Sequence, residues 1–239
     1  MRDRIQKNIA QISARIAAAA ERSGRSAGSV SLLAVTDNVP VTEIRMAADA
    51  GIKAIGESRI PDAKVKFFHL GPNLSWHMLG HLPTSKARSA AAIFDMIQSV
   101  DSTRLADALD REAGLIDRHL DVLVEVNISG EAQKQGVALE QALDLVRYLD
   151  GKTRLRVKGF MATTLALADT ELVRPLFRGL AKLFQRAQNG VERPEQWTVL
   201  SMGMNHDFEV AVEEGATQVR IGTGIFSIPA PSKLLYNQG

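Results

Sequence analysis

The sequence predicts an α/β protein of the closed (β/α)8, or TIM-barrel, class, built as one domain over residues 1–239. Three observations predict it. Short apolar segments alternate with amphipathic helical ones from end to end, and short strands separated by helices pair in parallel through right-handed crossovers. Eight such units occupy the 239 residues, a length that suits this barrel. No stretch rich in Pro, Gly or Ser divides the chain. A doubly wound open sheet is the alternative arrangement of the same units.

Each element has its own warrant. An extra N-terminal helix from Arg4 to about Ser23 sets Ile5, Ile9, Ile12 and Ile16 on one stripe, and Gly24 closes it. SVSLLAV is the first strand, VTEIRMAADAG a helix opening after Pro40 and capped by Gly51. KAIGE and SWHMLG read as strands two and three, each followed by a helix, PDAKVKFFHL and PTSKARSAAAIF, the latter with Pro83 near its first turn. MIQSV is strand four, and STRLADALDREAGLI a helix capped by Ser102 or Asp101. LDVLVEVNI is the strongest strand, followed by the helix LEQALDLVRYLDG. LRVKGFMAT, a helix over about Glu171 to Gln188, TVLSMGM, a helix HDFEVAVEEG and TQVRIGTGIF complete the eight units.

Composition narrows the function classes. With 29 basic against 27 acidic side chains in no block, nothing tracks a phosphate backbone, so no nucleic-acid partner is expected. There is no cysteine, which excludes disulfides, thiolate metal sites and a Cys nucleophile. MRDRIQKNIAQ lacks the apolar core of a signal peptide, and no run is long and apolar enough to span a bilayer; the expectation is a cytoplasmic monomer without membrane contact. His77 and His81 stand four apart but cross from strand to loop, so no metal site is expected.

In such barrels the site lies at the C-terminal ends of the strands. There the chain carries an anion cradle: Ser201-Met202-Gly203 after strand seven, and Arg220-Ile221-Gly222-Thr223-Gly224 after strand eight. Glycines let backbone N–H groups approach an anion, and the Ser201 and Thr223 hydroxyls add donors. A bound phosphate or sulfate ion, or a small phosphorylated ligand, is the partner expected.

The segments LLAV, AGIKAIGES, WHMLGHLPTSKA, VEVNISGEAQKQG and LSMGM…VRIGT resemble the pyridoxal phosphate homeostasis protein family, single-domain relatives of the alanine racemase N-terminal barrel. The likeness runs from about residue 5 to 227. It implies a non-catalytic carrier of pyridoxal 5'-phosphate (PLP), with Ser201, Gly222 and Thr223 at the phosphate, Arg220 opposite the pyridine nitrogen, Ser58 in the pocket and Lys134 as a nearby amine. One position departs. Where the family reads roughly AVSKTKP this chain reads AVTDNVP, so Asp37 occupies the place of the Schiff-base lysine. A carboxylate cannot condense with an aldehyde, and covalent PLP binding at residue 37 is excluded. The first reading is therefore a non-covalent binder of a phosphorylated small molecule. The second is a pocket rebuilt by divergence or by engineering into an enzyme, with Asp37 as general base in proton abstraction or hydrolysis, partnered by His206 or His81. A plain ion pair or helix cap for Asp37 stands beside both.

Overall fold

In the computed structural model, residues 1–131, 133–164 and 169–227 are described. The barrel strands are β1 (Ser31–Val35), β2 (Ala54–Glu57), β3 (Ser75–Met78), β4 (Met96–Val100), β5 (Leu120–Asn127), β7 (Leu155–Met161), β8 (Val199–Ser201) and β9 (Gln218–Ile221). Neighbours pair in parallel in the order β4-β3-β2-β1-β9-β8-β7-β5, and a β4–β5 pairing closes the ring. A two-residue strand β6 (Val137–Ala138) adds to β5, a feature the sequence pattern did not suggest.

The helices form the outer layer. They are α1 (Arg2–Arg22), α2 (Val41–Asp49), α3 (Ile60–Leu70), α4 (Ala87–Ile93), α5 (Thr103–Leu115), α6 (Ala142–Asp150), α7 (Arg174–Gln188), α8 (Phe208–Glu213) and α9 (Thr223–Phe226). Ser102 does cap α5, accepting from the Leu105 N–H at 3.3 Å. The α1 stripe is buried as its spacing requires. Trp76, Phe94, Phe160, Phe177 and Trp197 fill the layer between strands and helices, with Phe160 edge-on to Trp197 at 5.0 Å.

Two of the boundaries that differ from the sequence pattern lie beside the loop after β8. The strand expected over Thr198–Met204 stops at Ser201, because Gly203 turns the backbone at φ +90°. The helix expected from Asn205 or His206 starts at Phe208, because the Asp207 carboxylate binds the Met204 N–H (2.6 Å) and holds residues 204–207 in a turn.

The barrel interior is layered. Met96, Leu123 and Met161 form an apolar cluster backed by Val199. Next to it lies a polar network. Gln98 on β4 bonds Gln218 on β9 (2.6 Å), His77 on β3 (2.8 Å) and the Ser201 hydroxyl on β8 (2.7 Å). β4 is a neighbour of neither β9 nor β8 in the sheet, so the Gln98–Gln218 and Gln98–Ser201 bonds cross the barrel itself.

Candidate functional site

The end of β1 is bent sharply. The Val39 N–H returns to the Thr36 carbonyl (2.9 Å), and Asn38 takes a left-handed conformation (φ 59°), which asparagine tolerates better than most residues. Pro40 then leads directly into α2. That turn lifts Asp37 to the mouth, where its carboxylate accepts from the Ser58 N–H (2.8 Å) and the Ser58 hydroxyl (2.6 Å) after β2.

Beside this turn opens a cavity of about 400 Å³, within the range of small-ligand pockets. Its wall comes from the turn after β1 (Asp37, Asn38) and from α2 (Glu43), from the loop after β8 (Met204, Asn205) and from the end of β9 (Arg220, Gly222, Thr223). Thr223 is exposed and begins α9. The Asn205 amide oxygen accepts from Gly224 N (2.9 Å), tying the two halves of the wall together. α1 braces the same corner from outside, Asn8 donating to Ile225 O and Arg4 to Phe226 O, each at 3.0 Å.

Arg220 is buried where the cavity meets the interior. It donates to Ser201 O (2.7 Å), Ser201 Oγ (2.8 Å) and Ala162 O (2.8 Å). Burial pushes its guanidinium down to about 10, opposed by Asp207 and Glu125, so it remains a cation at neutral pH. Behind the mouth, Glu57 is completely buried. It accepts from Thr36 Oγ1 and from Lys66 Nζ (2.7 Å), and Lys66 also donates to Thr36 O (2.6 Å). Burial raises the Glu57 carboxyl despite these bonds, and the Asp37 charge adds to the rise. Its second oxygen has no hydrogen-bond partner among the described residues.

The sequence candidates therefore separate. Asp37, Ser58, Arg220, Gly222 and Thr223 meet at one corner of the mouth. Ser201 does not join them. As the last residue of β8 it points into the barrel, fully buried, its hydroxyl committed to Gln98 and Arg220. His206 is exposed, and His81 faces Asp101 at 3.6 Å. Neither bonds Asp37, both of whose oxygens are turned to Ser58, so the predicted Asp–His pairs are not formed. Lys134 lies in the β5–β6 loop, its amine buried and 3.6 Å from Glu131, away from the cavity wall. Asn205 and Lys66 were missed. Asn205 looks like ordinary loop, though it stands four residues past the strand end on a glycine-led turn. Lys66 looks like an exposed helix lysine, and only its place one turn before the end of α3 hints at a reach back to the strands.

This geometry can hold an anion-bearing ring against the β9 corner and set a carboxylate opposite. Residues 2–229 match the alanine racemase, N-terminal domain, family. The chain is 39% identical over 224 residues to the pyridoxal phosphate homeostasis protein of Aquifex aeolicus, covering 92% of this chain and 96% of that protein. The chain belongs to the pyridoxal phosphate homeostasis protein family. Among solved relatives of this family, PipY of Synechococcus elongatus with PLP bound superposes with a TM-score of 0.80 at 32% identity, covering 93% of this chain and 99% of that one. A protein of unknown role from Bifidobacterium adolescentis superposes at 0.89 with 33% identity, covering 94% and 95%. No lysine lines the cavity among the described residues. The residues on the cavity wall therefore do not fit PLP attached there through a lysine, whereas the Gly222–Thr223 corner fits a phosphate held by contact alone.

Proposed function

We propose that the chain is a non-catalytic binder of a pyridoxal-type phosphate that holds its ligand without a covalent bond. The observation that carries this reading is the composition of the cavity wall: Gly222, Thr223 and Asn205 on one side, Arg220 below, and Asp37 where attachment would need an amine. The backbone at Gly222–Thr223 and the Thr223 and Asn205 side chains supply the donors that a phosphate needs. Arg220 is a donor-only cation, so facing the ring nitrogen it would donate to that nitrogen and oppose its protonation, leaving the ring a weak electron sink. PLP bound in this way supplies only its reactive aldehyde, and the chain's residues position it. The acid–base reading lacks a relay, since Asp37 has no imidazole within hydrogen-bond reach among the described residues.

The test is an absorbance titration with PLP, followed by borohydride reduction and intact mass. Saturable binding with no reduced adduct is expected, together with appearance of an adduct in Asp37→Lys. An adduct on the unaltered chain would overturn non-covalent holding, and absence of any saturable binding would overturn the proposal itself.

A further inference from the structure

The charge at the cavity mouth is unbalanced. Of the two carboxylates on its wall, Glu43 faces Arg4 at 3.6 Å. Asp37 faces no cation: among the described residues no Lys, Arg or His lies within ion-pair distance of it, and both its bonds come from the neutral Ser58. Arg220, on the same wall, makes no ion pair with it: three of its five N–H donors go to Ser201 and Ala162, which hold the guanidinium where it is. Lys66 makes none either, being held by Glu57 and Thr36 O. Asp37 is only half-buried, and each carboxylate oxygen accepts one bond where it has room for two. Ser58 fixes the carboxylate from behind, so the free lone pairs stay aimed without further ordering cost.

We infer that Asp37 is a specificity residue that selects a ligand with an ammonium group opposite its phosphate. This rests on the phosphate-ligand reading above and deepens it. In the pyridoxal series the ligand so selected is pyridoxamine 5'-phosphate, which carries an aminomethyl group where PLP carries the aldehyde. A metal ion is a poor occupant, since no cluster of three or more acidic or His side chains surrounds the spot among the described residues. An ammonium fixed at its other end by phosphate needs one carboxylate only.

Pyridoxamine 5'-phosphate and pyridoxine 5'-phosphate isolate the effect, since they differ by an ammonium against a hydroxyl at nearly equal shape. A charge-assisted hydrogen bond at a half-exposed carboxylate implies roughly tenfold preference for the amine. Fluorescence titration of the purified chain with each ligand, and with PLP under non-reducing conditions, is the measurement. The expected result is a Kd for the amine about tenfold below that for the alcohol, collapsing to within about twofold in Asp37→Asn. Equal affinities in the unaltered chain, or a preference that survives in Asp37→Asn, overturn the selectivity while leaving the phosphate-ligand reading in place. Failure of all three ligands to bind overturns both. The comparison in the unaltered chain decides the selectivity even where the variant does not fold.

Discussion

Glu125 and His77 give the barrel interior two opposed responses to pH. Glu125, on β5, is buried. Burial pushes its carboxyl up from the ordinary 4.5 to about 7, with Asp101 adding to the rise and Arg220 opposing it. The native state thus keeps a proton that the unfolded chain has released. Its contribution to stability is complete below pH 4.5 and is lost as pH rises through about 7. At about 1.4 kcal/mol per pH unit the loss amounts to roughly 3 kcal/mol. His77 behaves in the opposite sense. Burial pushes its ring down from 6.5 to about 4, so its contribution is present above pH 6.5 and lost as pH falls toward 4. The windows overlap, and the unaltered protein should look nearly flat where they do. Urea unfolding of the unaltered chain, Glu125→Gln and His77→Gln across this range separates them. The stability of Glu125→Gln relative to the unaltered chain should grow by roughly 3 kcal/mol from about pH 4.5 to 7, while that of His77→Gln should fall with rising pH. A difference for Glu125→Gln that stays constant with pH would refute the buried-carboxyl account.

Two further outcomes follow from the geometry. Lys66→Met strands the Glu57 carboxylate in the protein and should cost about 3–5 kcal/mol in urea unfolding, whereas Lys66→Met with Glu57→Gln should recover much of the loss; equal losses would mean that the pair is not the cause. Gly159 sits at φ +146°, and a Cβ there would overlap the Val199 carbonyl oxygen on β8, so Gly159→Ala should lower Tm sharply or prevent folding, and a normal Tm would contradict the described β7–β8 approach.

The parts of this molecule that were legible in the sequence depend on period and on chain order. Eight apolar segments between amphipathic helices are enough to order the strands, and that order places Asp37, Ser58, Gly222 and Thr223 at one end of the ring. What stayed hidden depends on direction. In a parallel barrel both strand faces are buried, so alternation no longer tells inside from outside. Gln98 in MIQSV, Gln218 in TQVRI and Ser201 in VLS are polar residues on such strands, and Gln98 bonds both of the others across the interior. Ser201 was assigned to the cradle from its place at the end of strand seven beside Gly203, which does not tell that its hydroxyl turns inward. Asn205 escaped notice because the φ +90° turn at Gly203, which carries it to the cavity, leaves only a glycine in the sequence.

The same blindness affected the charges, and it bears on the ligand. Two carboxylates end strands β1 and β2 on adjacent ladders, Asp37 just beyond Val35 and Glu57 opposite Met78. Glu57 is fully buried and takes its cation from within the chain, the helical Lys66. An amine so committed, hydrogen-bonded at 2.7 and 2.6 Å, is a counter-ion before it is a nucleophile, since freeing it would leave Glu57 bare. Asp37 stands one layer further out with no cation of its own, on the wall of a cavity that admits a ligand. A half-exposed carboxylate tolerates that state in water. Covered by a bound ring it loses part of that hydration, and without a partner this subtracts from what the ring contact returns. A ligand that covers Asp37 is therefore favoured when it brings the missing positive charge with it, and a neutral aldehyde or alcohol at the same place binds more weakly because the carboxylate is covered uncompensated.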